Sequence, residues 1–290
     1  MPIDGLSIIG ESINDSVPST HELFEANNLD AVVALAKLQD EKGAAYIDVN
    51  IGLRPPALMA ECVRRIQQVT SKPLSIDSPD PALVEAGLEA YRPALANNRK
   101  PILNSISLSR LEMFDLYKKQ PFIPILLVTE GVDQAGDAKM NKTVDETYQT
   151  ARDCLRIASE RMPDFANDHC IIDPGIAPIG SDMEGNFKRL MASLQRIHED
   201  PDMQGVHMSL GLSNFTVMLP SQCADGSPVK GPLESAFLTL AMPLGLDMVI
   251  GSVKRNYQIL DESHPALLCL KDVLELDGFD VIMRVMQFYS

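Results

Sequence analysis

Short, apolar, β-rich runs alternate with longer amphipathic segments along the whole 290-residue chain. This alternation is typical of a parallel sheet covered by helices, because parallel strands need long crossover connections. The predicted strands, eight in number, are residues 6–9, 46–49, 74–76, 102–103, 123–128, 170–172, 206–210 and 248–250.

Helical segments separate these strands. Residues 29–42 are typical of them, since Gly43 follows at once and tolerates the positive φ of a helix C-terminal cap. The predicted helices are residues 29–42, 57–69, 81–90, 144–161, 187–198 and 233–244. Repeated β-then-α units without a break in composition predict a single (β/α)8 TIM barrel over residues 1–290, with a doubly wound open sheet as the alternative. The longest loops are expected at residues 130–143 and 215–231, which are rich in Gly, Asp, Pro or Ser.

Charge and cysteine content restrict the classes of partner. With 25 Lys and Arg against 40 Asp and Glu, the net charge of −15 argues against binding to nucleic acid or anionic membranes. No apolar stretch reaches membrane-spanning length, and the first residues lack a signal-peptide pattern. The five scattered cysteines have no Cys-x-x-Cys spacing and are expected to be reduced thiols. We therefore expect a cytoplasmic protein.

Polar side chains follow six of the eight predicted strands. The C-terminal strand ends of a barrel converge on one mouth, where residues distant in sequence can surround one ligand. Carboxylates and carboxamides dominate these positions, with almost no positive charge. Such a pocket suits a neutral heterocycle with several N–H donors, such as the 2-amino-4-oxo pyrimidine ring of a pterin. The candidate residues are Glu11, Asn14, Asp48, Asn50, Asp77, Asn104, Asp173, Gly211, Ser213 and Asn214.

Simpler readings of these residues remain open. An Asp or Asn at a strand end is often only a helix cap or turn residue, which could explain Asp77 and Asp173. Glu11 could act as an acid or base, or could form a structural hydrogen bond. Asp48, Asp77 and Asp173 could bind Mg²⁺ or Ca²⁺, although the interleaved amides suit a heterocycle better. The five histidines have no common spacing, and we predict no metal site.

Six segments, taken together, resemble a known family. IIGESIN, YIDVNIG, LSIDSPD, PILNSIS, CIIDPGIAP and MSLGLSNF occur in the order and at the intervals typical of pterin-binding barrels. These barrels include dihydropteroate synthase, the folate domain of cobalamin-dependent methionine synthase, and the methyltetrahydrofolate:corrinoid protein methyltransferases. The last group is the most similar, and the resemblance covers essentially the whole chain.

The resemblance implies roles for individual residues. Asp77, Asn104 and Asp173 are expected to bind the pterin ring, with Asn104 and Asp173 on its pyrimidine edge. Gly211 and Ser213 are similar to the backbone turn that presents the next functional side chain.

That side chain is Asn214, the expected catalytic residue, whose counterpart in the methyltransferases hydrogen-bonds the pterin N5 nitrogen. A carboxamide can serve methyl transfer in either direction, because it can donate or accept a hydrogen bond after a side-chain rotation. The residues similar to the polar ring at the pocket floor are Glu11, Asn14, Asp48 and Asn50.

The substrates and partners follow from the same resemblance. It implies a methyl group moving between tetrahydrofolate and a corrinoid such as cobalamin. The chain has no Asp-x-His-x-x-Gly segment for corrinoid binding, so a separate corrinoid protein is expected to carry it. A homodimer is expected by resemblance alone.

Two other functions remain possible. A dihydropteroate synthase-like condensation needs a pyrophosphate pocket, and the arginine-bearing and Ser-Arg-Lys segments of that enzyme are missing. Arg54 and the pair Lys254-Arg255 keep this alternative open. A folate-binding barrel without catalysis is the other. The segment after Asn214 is also longer than in the acetogenic methyltransferases, and only Lys230 could replace their arginine near the substrate.

Overall fold

The computed structural model describes residues 3–133 and 135–290. The strands in these ranges are β1 (Ser7–Asn14), β2 (Tyr46–Asn50), β3 (Leu74–Asp77), β4 (Ile102–Ile106), β5 (Ile123–Leu127), β6 (Glu130–Val132), β7 (Ala138–Met140), β8 (Ile171–Asp173), β9 (His207–Met208) and β10 (Met248–Gly251). The α-helices are α1 (Pro18–Glu25), α2 (Leu29–Glu41), α3 (Pro56–Ile66), α4 (Pro81–Ala90), α5 (Val144–Arg161), α6 (Asn186–His198), α7 (Leu212–Phe215), α8 (Lys230–Ala241), α9 (Pro265–Glu275) and α10 (Phe279–Tyr289).

Eight of these strands form one parallel sheet in the order β10-β1-β2-β3-β4-β5-β8-β9. The two outer strands meet, because the Ile250 amide donates to the Leu210 carbonyl at 2.9 Å and Gly211 forms a parallel bridge with Ile250. Neighbouring strands follow chain order around this ring, as in a TIM barrel. The predicted barrel is confirmed, and the alternative of a doubly wound open sheet is wrong.

The barrel interior is apolar at its N-terminal half. One cluster of buried side chains comes from positions that alternate along the barrel strands: Ile9, Tyr46, Ile102, Ile125, Ile171 and Met248. Residues between them, such as Ile47 and Val49, face outward into the larger core beneath the helices. Because the lumen is filled at this end, a ligand pocket has to form at the C-terminal strand ends.

All eight predicted barrel strands and all six predicted helices are present. The last of those helices begins earlier than predicted and runs over Lys230–Ala241. It ends there because Pro243 has no amide hydrogen to continue the helix, and Met242–Leu244 form a single 3-10 turn.

Other elements were not predicted. The segment predicted as a loop, residues 130–143, contains the antiparallel hairpin β6–β7, and Gln134 within it lies outside the described residues. Helices α1, α9 and α10 were also missed, and β4 is joined to β5 by a 3-10 segment, Leu111–Lys118. Helices α1 and α9 follow the barrel strands β1 and β10, and α10 comes after the last β/α unit.

Candidate active site

The structure places all ten candidate residues at the C-terminal ends of the barrel strands or directly after them. Two cross-strand pairs are direct neighbours in the sheet: Asn14 beside Asn50, and Asp77 beside Asn104. Residues 63 positions apart, Asn14 and Asp77, are thus linked through Asn50, whose amide donates to the Asp77 carboxylate at 2.9 Å. The topology therefore brings the predicted polar groups of β1 to β4 to one mouth.

A bulge in β1 presents Glu11. The register between β1 and β2 shifts between Gly10 and Ile13, so Glu11 and Ser12 have no partner of their own in the ladder. The Ser12 amide instead donates to Oε1 of Gln39, a fully buried side chain of α2, at 2.9 Å. Gly10 is needed for this contact, because a Cβ there would lie 2.4 Å from Gln39 Oε1.

Two carboxyl groups lie close together beneath the mouth. Asp48 is 0% exposed, and neither of its oxygens has a hydrogen-bond partner among the described residues. Burial, and then the negative charge of Asp77, raise the pKa of Asp48 well above its ordinary value, while Ser75 and Asn104 nearby offset only part of this. Burial also raises the pKa of Asp77, against the lowering effect of hydrogen bonds with Asn50 and Asp48. Burial and the closeness of the two carboxyl groups therefore disfavour the doubly charged form of this pair.

Asp173 combines a turn role with a free oxygen. Its Oδ1 accepts a hydrogen bond from the Gly175 amide at 2.7 Å, as the simpler reading of this residue suggested. Gly175 is required there, with φ of +73° and Thr129 Cγ2 only 2.1 Å from the position of a Cβ. Burial raises the pKa of Asp173 to about 7, against the effect of that one hydrogen bond. The second oxygen remains available to accept from a ligand.

Asn14 and Asn50 also hold local turns through their side-chain oxygens. Asn14 Oδ1 accepts from the Ser16 amide at 2.8 Å, and Asn50 Oδ1 accepts from the Gly52 amide at 2.9 Å. The turn interpretation is thus correct for these two oxygens. It is also correct for the segment Asp77-Ser78-Pro79-Asp80, in which Asp80 caps α4 and Ser78 accepts from the Asp80 amide, while the Asp77 carboxylate accepts from Asn50.

Asn214 is an exposed side chain in the short helix α7. The backbone N–H of Asn214 donates to the Gly211 carbonyl at 3.0 Å. The side-chain Nδ2 lies 2.9 Å from the position that a Cβ on Gly211 would occupy. The adjacent Ser213 hydroxyl donates to the Glu11 carboxylate across the mouth. The turn and β1 are therefore joined directly beside the exposed amide.

Positive charge near the pocket was underestimated from the sequence. Burial raises the pKa of both Asp77 and Glu11, and a nearby arginine offsets part of each rise: Arg110, in the loop after β4, for Asp77 and Arg255, after β10, for Glu11. Arg110 is held by the hydroxyls of Ser105 and Ser107, at 3.4 and 3.5 Å. The expectation of almost no positive charge was wrong because these arginines lie four positions after the ends of β4 and β10, where the sequence does not show the direction of a side chain.

Arg54 was the other arginine considered for an anion pocket. Its guanidinium donates to Asp15 at 2.5 Å and to Glu25 at 2.7 Å, and it stacks on Phe24. The charge of Arg54 is therefore neutralised by two carboxylates of the segment between β1 and α2 and is not available to an anionic ligand.

Sequence reasoning missed two buried polar residues that support the site, Gln39 and Glu234. Each is 0% exposed and lies among apolar neighbours in a helix. A polar residue on the apolar face of a predicted helix was the available signal. It could show that a partner was needed but not which one.

In residues 3–133 and 135–290, no group of three or more His, Cys, Asp and Glu side chains is placed to hold a metal ion. Over the same ranges, no helix is long and apolar enough to cross a membrane. All five cysteines are free, and four of them are buried.

This combination of closed barrel, carboxylates and carboxamides at the C-terminal mouth is that of a pterin-binding barrel. Residues 13–251 match the family of pterin binding enzymes, which is most of the chain. The chain therefore belongs to this family, as its six motif segments indicated.

A curated relative gives a finer comparison. The chain is 25% identical over 249 residues to a methylcorrinoid:tetrahydrofolate methyltransferase of Eubacterium limosum, covering 84% of this chain and 83% of that protein.

Solved structures are similar in fold. Dihydropteroate synthase from Vibrio fischeri ES114 superposes with a TM-score of 0.58 at 16% identity, covering 96% of both chains. The enzyme from Xanthomonas albilineans in complex with 7,8-dihydropteroate gives 0.58 at 18% identity, covering 95% of this chain and 96% of that one. At these identities the likeness shows a shared fold.

Proposed function

We propose that this enzyme transfers a methyl group between a corrinoid carried by a partner protein and N5 of a tetrahydrofolate bound at the barrel mouth. The observation that carries the proposal is the exposed Asn214 side chain, in a turn bonded to Glu11 beside the carboxyl and carboxamide groups of the barrel mouth. The methyltransferase relative, which matches most of both chains, supports the same reaction.

Asp173, Asn104 and Asp77 are proposed to hold the pterin ring. A buried carboxylate that accepts from a ring N–H and an exocyclic amine recovers the hydrogen bonds lost on burial. Asp173 has one oxygen free for such donors, and Asp77 lies directly beside Asn104 on the neighbouring strand. Asp48, Asn50, Asn14 and Glu11 complete the polar floor.

Asn214 is proposed to hydrogen-bond the pterin N5. The corrinoid supplies the cobalt that gives or receives the methyl group. The protein has to orient N5 and control its charge, since a methyl leaves a nitrogen more readily when that nitrogen has positive character. An amide that donates or accepts can satisfy N5 in either protonation state.

A corrinoid protein is proposed to dock over the mouth. Several apolar side chains are exposed on the loops that follow barrel strands, including Leu53 after β2 (92% exposed), Met183 after β8 (57%) and Met218 after β9 (68%). Exposed apolar groups around a pocket are typical of a surface that meets another protein.

A synthase-like condensation is less well supported. It needs cations to receive a pyrophosphate leaving group, whereas Arg54 is paired with Asp15 and Glu25, and Arg255 with Glu234. The dihydropteroate synthase structures are similar at the level of the fold.

The test is a spectroscopic assay of purified protein with tetrahydrofolate and methylcobalamin. We expect the methylcobalt absorption band to be lost while methyltetrahydrofolate forms. Asn214→Ala should lower turnover at least about 100-fold and pterin affinity less than about fivefold, as expected for a contact made mainly in the transition state.

Asn256→Ala, at an exposed asparagine after β10, is the matched control and should keep wild-type turnover. Tight pterin binding without methyl loss from any corrinoid would reject the transferase and favour a folate-binding barrel. Dihydropteroate formed from a pterin pyrophosphate would favour the synthase.

A further inference from the structure

We propose that Glu234 and Arg255 are positioning residues that hold the Asn214 turn, defined as residues 211–216, against the barrel mouth. The role of Asn214 rests on the function proposed above, whereas the anchoring of the turn can be measured without it.

Glu234 lies where an apolar residue would be expected. It is 0% exposed in α8, between buried Leu233 and Ser235 and one turn from buried Phe237 and Leu238. Burying a carboxyl group there costs free energy unless it has polar partners. The residue must therefore make contacts that an apolar side chain could not replace.

One of those partners belongs to the Asn214 turn. The Thr216 hydroxyl, 1% exposed, donates to Glu234 Oε1 at 2.6 Å. At the other side of the turn, the Ser213 hydroxyl donates to Glu11 of β1. Asn214 thus lies between two side chains that are each bonded to a carboxyl group on a different element of the barrel.

Arg255 connects the two carboxyl groups. Its Nε lies 3.3 Å from Glu234 Oε2, and its charge offsets part of the rise in pKa that burial causes in Glu11. It stands in the loop after β10, whose Ile250 forms the bridge with Gly211 at the start of the turn. One cation therefore favours the charged form of both carboxyl groups that accept from the turn.

Anchoring the Asn214 turn therefore controls where the exposed Asn214 side chain lies. The Asn214 side chain is exposed and lies against Gly211 of its own turn, so its position follows that of the turn backbone. Displacing a catalytic group by about 1 Å can lower a rate about 100-fold while leaving ligand affinity nearly intact. Glu234 and Arg255 do not touch the reacting atoms in this scheme.

The experiment is a double-mutant cycle with Thr216→Val and Glu234→Gln. Each single change should lower kcat about 10- to 100-fold and change pterin affinity less than about threefold. The double variant should be no slower than the slower single variant, because both changes break one contact. Thr216→Ser keeps the hydroxyl and should restore turnover.

Thr70→Val is the matched control. Thr70 donates to Asp40 at 2.6 Å, the same type of contact, before β3 at the opposite end of the barrel. It should leave kcat unchanged.

Hydrogen exchange of the amides in residues 211–217 provides a readout independent of activity. Exchange should become faster in Thr216→Val, Glu234→Gln and Arg255→Gln, and not in Thr70→Val. Unchanged exchange in Thr216→Val, or additive losses of kcat in the cycle, would overturn the positioning role. If these variants exchange faster but the wild type transfers no methyl group, the positioning role stands and only the proposed function is rejected.

Discussion

At the scale of single residues, the chemistry of the mouth depends on side chains whose surroundings change their ordinary behaviour. Burial and the neighbouring charge of Asp77 raise the pKa of Asp48 well above its ordinary value, and burial raises the pKa of Asp173 to about 7. Gly211 allows the Asn214 amide to fold close to its own turn. Each of these properties leads to a measurable effect.

Pterin binding should depend on pH through Asp173. A carboxyl that accepts from N–H donors must be ionised, but with a pKa of about 7 it is protonated in the free protein at lower pH. We therefore expect the affinity for a pterin to be constant above pH 7 and to fall about tenfold for each pH unit below it. Titration calorimetry or pterin fluorescence measures this directly.

Asp173→Asn is the control, because an amide still accepts from Gly175 and does not titrate. Its pterin affinity should be weaker at pH 8 and should vary little with pH. If the wild type and Asp173→Asn share one pH profile, the dependence comes from another group.

Gly211→Ala should reduce turnover without unfolding the protein. The added Cβ would lie 2.9 Å from Asn214 Nδ2 and so displace the amide, whereas φ of −78° at position 211 suits alanine. We expect kcat to fall about 10- to 100-fold, with the free energy of unfolding changed by less than about 1 kcal/mol.

Gly231→Ala provides the comparison, since a Cβ there meets no atom within 4 Å. Steady-state kinetics of both variants, with urea denaturation, separates the two effects. Wild-type turnover in Gly211→Ala would argue against a fixed amide position.

At the scale of secondary-structure elements, the site depends on irregular parts of regular elements. The bulge of β1 presents Glu11 and leaves the Ser12 amide to a side chain of α2. The two-residue strand β9 closes the barrel and is followed at once by the turn that carries Asn214.

Gln39→Leu tests the support of the bulge. Leucine removes the acceptor of the Ser12 amide, and a part-buried amide without a partner destabilises the fold by about 1–2 kcal/mol. We expect a lower urea midpoint with an unchanged slope. Gln195→Leu, at an exposed position of α6, should change stability by less than about 0.5 kcal/mol. Equal stability of Gln39→Leu and the wild type would show that the bulge needs no such support.

At the scale of the whole molecule, one core joins the barrel to its surrounding helices. A contiguous cluster of buried side chains extends from Ile13 in β1 to Val285 in α10. The first and last barrel strands are paired over four residues, from Ser7 beside Met248 to Gly10 beside Gly251. We therefore expect the first and last barrel strands to unfold together.

Urea unfolding should accordingly follow a single transition. The chain has no tryptophan and 6 tyrosines, so tyrosine fluorescence and far-UV circular dichroism can be compared. Coincident curves are expected for one cooperative unit. Two separated transitions would instead reveal a domain boundary that contradicts a single domain over residues 1–290.

The sequence by itself determined the barrel and the residues at its mouth. The strand-helix alternation predicted the parallel strands, because apolar periodicity reports which residues are buried on both faces of a sheet. Polar residues that end those strands, such as Asp77 and Asp173, could be assigned to one mouth because parallel strands share a C-terminal edge.

Only the tertiary structure decided which of those groups interact and how their pKa values are shifted. The raised pKa of Asp48 beside Asp77, the arginines near Asp77 and Glu11, and the contact between Thr216 and Glu234 all involve residues that are distant in sequence. Burial and charge proximity depend on three-dimensional distance, which a pattern of residue types along one chain does not contain. The family was therefore visible in the sequence, whereas the supports of Asn214 required the fold.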